Sequence, residues 1–260
     1  MITSSTNKKI KRVIELRDKA KARNKEGVFV AEGVRLVSEI PSQLIEEVYI
    51  SQSYEEEFEY SDLRLKLGVK AETVTDDVFK KMADTKTPQG ILALVKKPQA
   101  KLYDLFNNDK PLVIILENLQ DPGNLGTIIR MSEAAGVSMI VMSHDCVDAF
   151  SPKVVRATMG SLFRLPLFFT DNLLATMDEL QNKGLKIYAA HLKGLSDYSE
   201  CDYREPSAFV IGNEGNGITE QTAAKCDKLI KIPMAGKVES LNAAIACTVL
   251  AYEAFRQRES

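Results

Sequence analysis

The chain has 260 residues, with 34 lysines and arginines against 36 aspartates and glutamates, so its formal charge is −2. Apolar residues make up 45% and charged residues 27%, which excludes wholesale disorder. The strongly apolar run 112–116 is far short of the roughly 20 residues that span a bilayer, and the basic N-terminus lacks the apolar segment of a secretory signal. At roughly 100–200 residues per domain, one large or two modest domains are expected. Cys146, Cys201, Cys226 and Cys247 share no CxxC spacing, so free thiols in a cytoplasmic protein are expected, with no metal centre and no membrane segment.

The near-neutral total hides an asymmetry. Residues 1–30 carry nine basic side chains against Glu15, Asp18 and Glu26, whereas residues 31–72 carry ten acids and four basic groups. A positive stretch inside an acidic protein suits phosphate binding, and it equally suits a solvated amphipathic helix. Charge alone leaves both open.

In chain order, residues 6–23 have helical spacing through Ile10, Val13, Ile14 and Leu16. Short apolar runs at 28–31, 34–40, 48–50 and 91–95, with an acidic stretch to Leu67, predict a small α/β unit over 1–97. Residues 98–110 have linker chemistry. From 111 onward aliphatic strands are predicted at 112–116, 139–142, 185–190, 208–211 and 229–232. Helical stretches lie between them, closed by Gly136 and Gly184. Such alternation predicts a parallel sheet covered on both faces, occupying 111–260. The last helix, predicted over 240–256 with Ser240 as its cap, is apolar around most of its circumference. It must be buried nearly all round, in the core or against a second copy of the chain, and a homodimer interface is expected.

Three loops at strand ends are richer than turns require. The first, 117–126, leads into a helix carrying Asn124, Gly126 and Arg130, where backbone N–H groups and a guanidinium fork favour anions. The second, 211–218, has the order G-x-x-G-x-G after a late strand, so it is neither the Rossmann fingerprint nor a Walker loop. Its Glu214 needs a charge partner if a phosphate is near, and Arg130 is the expected one. The third, 232–244, joins a strand end to a small-residue helix and can hold a flat ring against aliphatic side chains. Together they predict one site at the carboxyl edge of the sheet.

The N-x-G-x-x-x-R of 124–130, the I-G-N-E-G-x-G of 211–217 and the I-P-M-x5-S-L-N-x-A of 232–244 resemble the three motifs of SpoU/TrmH-type RNA 2′-O-ribose methyltransferases, of the SPOUT class. The resemblance covers about 110–257. The front part is similar, more diffusely, to the family's RNA substrate-binding domain, through the Glu32-Gly33 segment. Residues 150–161 resemble the segment near the substrate ribose, with Thr158-Met159 departing from the usual Ser-Ala or Ser-Gly.

The resemblance implies a trefoil-knotted catalytic domain that binds S-adenosylmethionine, with Ile211, Gly212, Ile232, Met234, Leu241, Asn242 and Leu192 as the cofactor set. It implies a catalytic group of Arg130, Asn124, Glu214, Ser240 and Asn242. RNA contacts are expected from Lys8, Lys9, Lys11, Arg12, Arg35, Arg130, Lys153 and Arg156, with ribosomal RNA preferred over tRNA, and dimerisation through the C-terminal helix. The resemblance also implies a proposed role of general base for the arginine that matches Arg130. Neutralising a guanidinium near pH 7 costs about 7 kcal/mol or more, so we read it instead as an oxyanion stabiliser and phosphate anchor, oriented by Glu214 and Asn124. A catalytically silent RNA-binding or ribosome-assembly factor of the same fold is the alternative; a dehydrogenase lacks its early glycine fingerprint here. Removal of 1–97 is expected to leave a folded dimer with weakened RNA affinity.

Overall fold

The computed structural model describes residues 1–59, 61–191 and 194–259. The chain forms two compact units, and their membership is not the one the linker suggests. Unit one contains Met1–Pro98 together with Asp148–Phe163; unit two contains Gln99–Val147 and the chain from Arg164 onward.

Unit one is built on a four-stranded sheet of β1 (Val28–Glu32), β2 (Ile45–Ser51), β3 (Ala71–Val74) and β4 (Ile91–Lys96), in the order β1-β4-β2-β3. Its core joins Ile10, Val13 and Leu16 of the first helix to Val30, Tyr49, Phe79, Leu92 and Leu94. The helix predicted over 6–23 is two helices, Lys8–Asp18 and Ala20–Glu26, with Lys19 extended between them (φ −119°, ψ 115°). Arg23 accounts for the break. Its Nη1 donates to the carbonyls of Leu16 (2.6 Å) and Arg17 (2.7 Å), groups that the end of the first helix leaves without partners. Its Nε and Nη2 donate to the Asp148 carboxylate at 2.8 and 2.6 Å, and the side chain is buried.

Asp148 opens the segment that unit one takes from the middle of the sequence. Within it, Phe150 and Phe163 pack on Phe29 (ring centroids 5.1 and 6.2 Å), Val154 and Val155 are buried, and Lys97 lies over the Phe150 ring at 4.6 Å.

Unit two carries an all-parallel sheet of β5 (Leu112–Leu116), β6 (Met139–Ser143), β7 (Leu167–Thr170), β8 (Lys186–Ala190), β9 (Ser196–Asp197), β10 (Ser207–Ile211) and β11 (Lys228–Lys231). The order is β7-β6-β5-β10-β8-β11-β9. Strands β5, β6 and β10 are buried throughout, as aliphatic strands covered on both faces should be. The five predicted strands are present within a residue or so, whereas β7 and β9 have no clear periodic signal. The stretch 98–110 is more than a linker: its turn Leu102–Asn107 buries Leu102 and Leu105 on the core of unit two.

The terminal helix runs Ala243–Arg258 and is capped by Asn242, not Ser240; the Asn242 Oδ1 accepts the N–H groups of Ala244 (2.9 Å) and Ile245 (3.3 Å). Ala244, Cys247, Leu250, Ala251 and Ala254 are buried, while Ile245, Tyr252 and Phe255 are 51, 43 and 39% exposed. The all-round apolar helix is thus divided into an inner face and an outer apolar stripe. The four cysteines are free thiols. Among the described residues no helix is long and apolar enough to cross a membrane, and no group of acidic, histidine or cysteine residues is arranged for a metal ion.

Deletion of 1–97 would strip Phe29, Arg23 and Lys97 from the segment 148–163, so the remainder is expected to expose Phe150, Val154 and Val155 rather than fold cleanly. Limited trypsin digestion should cut after Lys153 or Arg156 about tenfold faster or more in the shortened chain, as for a segment whose closed form is lost. Equal protection would show that the segment packs without unit one.

Candidate cofactor and catalytic site

Because every strand of unit two is parallel, the loops following β5, β8, β10 and β11 leave the sheet at one edge. Each is shaped by its own residues before it meets the others. After β5, Asn118 adopts a left-handed backbone (φ 52°), and Asp121 caps the helix Pro122–Ala134 by accepting the N–H of Asn124 at 2.8 Å. After β10, Asn213 and Gly217 exchange backbone hydrogen bonds of 2.9 Å each, and the Asn213 Oδ1 accepts the N–H groups of Gly215 and Asn216 at 3.0 Å. A side chain at Gly212 would place its Cβ under 3.0 Å from the backbone of Gly217 and Ile218, so glycine is required there.

A chain of side-chain hydrogen bonds joins three of the loops. The Asn242 Nδ2 donates to the Asn124 Oδ1 (2.8 Å), and the Asn124 Nδ2 donates to the Glu214 Oε1 (3.0 Å). Glu214 also accepts the backbone N–H groups of Gln120 (3.0 Å) and Asp121 (2.8 Å). Partial burial pushes the Glu214 carboxyl up, but the bonds from Asn124, Gln120 and Asp121 outweigh it and the net shift is downward. Two further ties flank this chain. Asn213 Nδ2 donates to the Asn118 carbonyl (3.0 Å), and the Glu117 carboxylate accepts from Thr219 N, Thr219 Oγ1 and Thr222 Oγ1 at 2.7–2.9 Å.

Beside this network lies a cavity of about 830 Å³. Ile211, Gly212, Ile232, Met234 and Leu241 line it, as the motifs predict, and so do Glu214 and Ser240. Asn242 is absent from the lining and acts through Asn124 and the helix cap instead. Leu192 lies outside the described residues. His191, Asp197, Ile218 and Ala246 also line the cavity and were not anticipated. Only the sheet order brings the first two there: it sets the end of β8, with His191, beside β10 and β11, and pairs Asp197 of β9 with Lys231 of β11. A cavity lined by Gly212 together with Ile211, Ile232 and Leu241 fits a nucleoside: a flat ring can lie on aliphatic side chains while backbone groups read its edge.

Arg130 is exposed and has no hydrogen-bond or ion-pair partner among the described residues. The expected Glu214–Arg130 pair does not form, because backbone amides and Asn124 already occupy the carboxylate. The expected RNA contacts divide in the same way. Lys8, Lys11, Arg35 and Lys153 are exposed without partners among the described residues, and Lys9 pairs with Glu72 at 3.1 Å. Arg12 is engaged internally by Glu26, Glu46 and Glu47 at 2.6–2.8 Å, and Arg156 by Asp84 at 2.5 Å.

A loop-edge site on a parallel sheet, carrying these three motifs, defines a class, and comparison with known proteins agrees. The SpoU rRNA Methylase family model matches residues 111–252, and an MRM3-like substrate binding domain matches residues 7–93. The chain belongs to the SpoU rRNA methylase family. It is 34% identical over 253 residues to the 23S rRNA (guanosine(2553)-2′-O)-methyltransferase RlmP of Bacillus subtilis, covering 96% of this chain and 97% of that protein. Among solved structures, the AdoMet-bound rRNA methyltransferase from Sinorhizobium meliloti matches with a TM-score of 0.87 and 31% identity, over 98% of this chain and 97% of that one. The SpoU methyltransferase AviRb from Streptomyces viridochromogenes, in complex with AdoMet, matches with a TM-score of 0.87 and 27% identity, over 98 and 99%.

Glu214→Gln should loosen the loop, because an amide nitrogen in place of one carboxylate oxygen faces a backbone donor; a loss of about 1 kcal/mol per broken bond is expected. The sign with pH follows from the lowered carboxyl. Docking is complete above the ordinary glutamate value and is lost as pH falls through the lower folded value. S-adenosylmethionine affinity measured by calorimetry from pH 7 to pH 4 should therefore be insensitive to Glu214 titration until the acid end, and the Gln variant should bind more weakly throughout. Wild-type affinity in the Gln variant would remove Glu214 from this role.

Proposed function

We propose that the protein transfers a methyl group from S-adenosylmethionine to a ribose 2′-hydroxyl of ribosomal RNA, acting in the cytoplasm as a homodimer. The observation that carries this reading is the hydrogen-bond chain Asn242–Asn124–Glu214, which fixes three loops around a glycine-floored cavity while leaving Arg130 free. Ile211, Gly212, Ile232, Met234 and Leu241 would hold the cofactor, which supplies an electrophilic methyl on a sulfonium sulfur.

The chain's own groups do the rest. Arg130 offers a planar fork of donors to an alkoxide and to an adjacent phosphate, and it keeps its proton, since releasing it near neutrality costs about 7 kcal/mol or more. The hydroxyl proton leaves to water or to a phosphate oxygen of the RNA. Glu214 and Asn124 shape the loops and do not hold the arginine; Ser240 contributes a hydroxyl to the cavity wall.

Two finer readings belong with this one. A knotted path is supported by β11, which lies between β8 and β9 although it comes last in the sequence, so the β8–β9 connection crosses its end. At that crossing the Gly194 backbone passes so close to Ile230 and Lys231 that no Cβ would fit. A dimer through the terminal helix is supported by its outer stripe of Ile245, Tyr252 and Phe255, spaced as one helix face.

Methyl-labelled cofactor incubated with unmodified ribosomal RNA should label it, and a 2′-deoxy nucleotide at the acceptor should abolish labelling. Labelling that survives the 2′-deoxy substitution would point to base methylation. Arg130→Lys should lose turnover while binding the cofactor normally, because the fork and not the charge alone is needed; near-normal turnover would reject the assignment. Tyr252→Asp should convert a dimer into a monomer by light scattering, and an unchanged mass would place any interface elsewhere.

A further inference from the structure

The basic stretch 8–25 presents less free charge than its sequence suggests, because carboxylates and carbonyls hold Arg12, Arg17 and Arg23. A different part of unit one gathers unpartnered donors. The turn after β1 and the loop 84–90 before β4 are interlocked from both sides. The Glu32 carboxylate, buried at the end of β1, accepts the backbone N–H groups of Asp84 (2.7 Å) and Thr85 (3.4 Å) and the Thr85 hydroxyl. In the reverse direction the Gln89 Oε1 accepts the N–H of Val34 at 3.0 Å. Glycine is required at the loop's end: at Gly90 (φ 83°) a Cβ would come under 3.0 Å from Ser51 Oγ and Tyr54 Cβ.

The loop held this way exposes Lys86, Thr87 and Gln89, with Arg35 one residue beyond the Val34 tie. Lys86 and Arg35 have no partner among the described residues. With its oxygen bonded to Val34, the Gln89 side chain is oriented and its amide N–H groups have no acceptor among the described residues. The helix Pro152–Ala157 is tied to the same loop by Arg156 and Asp84, and Lys153, one turn earlier on that helix, is exposed and unpartnered among the described residues.

We infer that the loop 84–90, flanked by Arg35 and Lys153, is the surface with which unit one grips the sugar–phosphate backbone of folded RNA. The surface offers cations and neutral donors, and the Tyr54 ring against Gly90 is buried, so it suits phosphates and 2′-hydroxyls in a fixed geometry more than base stacking. The buried Glu32 gives that geometry by holding the loop. This inference rests on the RNA reading above.

The test compares two variants by RNA affinity across a salt series, using unmodified ribosomal RNA transcribed in vitro. One carries Arg35→Ala, Lys86→Ala and Lys153→Ala; the other carries Lys8→Ala and Lys11→Ala. Three lost phosphate contacts should lower the log–log salt slope of the first by about 2, at ~0.7–0.9 per contact, and its affinity at 0.1 M salt by about tenfold or more. The second should keep nearly the wild-type slope, and both should bind S-adenosylmethionine as the wild type does. A full slope in the triple variant, or a loss confined to the Lys8/Lys11 variant, would overturn the assignment of this surface. Wild-type protein that binds the cofactor but no RNA would overturn the functional reading itself, and this inference with it.

Discussion

Glu214 accepts hydrogen bonds from the helix start after β5 and from Asn124, and through Asn124 it reaches the cap of the terminal helix. A bond to an ionised acceptor contributes about 1.5–3 kcal/mol when sheltered, and less here because the carboxylate is exposed to water. Ordering residues 212–218 costs about 1–2 kcal/mol of backbone entropy for each residue. Glu214 alone cannot offset that. The loop stays ordered because it is also closed on itself by the Asn213–Gly217 bridge and clamped beyond its end by Glu117 on Thr219 and Thr222. Glu214 decides where an already compact loop docks.

The sheet order explains why the docking partners are available. With β5 beside β10, the loop after one strand meets the loop after the other without any long reach. With β8 between β10 and β11, the cavity floor at Gly212 and the wall at Ile232 stand one strand apart, close enough for a single small ligand to touch both. The terminal helix then enters from the third loop. Its small buried residues, Ala244, Cys247, Ala251 and Ala254, let it lie close to the helix Pro122–Ala134, which holds Asn242 within 2.8 Å of Asn124. An inner stripe of small side chains therefore serves the site, while the larger Ile245, Tyr252 and Phe255 remain outside.

Much of this was legible in the sequence. The buried strands of unit two are aliphatic runs bounded by turn residues, and the three loops are marked by glycine, asparagine and proline in a specific order. What the sequence does not display is whatever needs partners distant along the chain. Strand β9 has two residues and exists only because β11 lies beside it. The break at Lys19 has no glycine or proline to announce it; it follows from Arg23 reaching back to two helix carbonyls and across to Asp148, 125 residues away. The cap at Asn242 was masked by Ser240, an equally good capping residue two positions earlier, and the choice falls to Asn242 because its amide also has Asn124 to bind.

Charge was the least legible property, and the reason is physical. A count of lysines and arginines sums groups in very different states. Arg23 is buried on carbonyls and Asp148; Arg12 is shared among three glutamates; Lys8 and Lys11 stand free in water. Removing a buried, paired arginine leaves carbonyls and a carboxylate without partners, a loss of several kcal/mol of stability, whereas removing an exposed lysine changes stability little. For binding a polyanion the order reverses, because only a free cation releases counterions from the nucleic acid. The groups that matter most to the fold of unit one are thus those least able to serve recognition. A free cation is therefore only eligible for such a role, and whether it serves depends on whether the fold holds it in a fixed place beside other free donors.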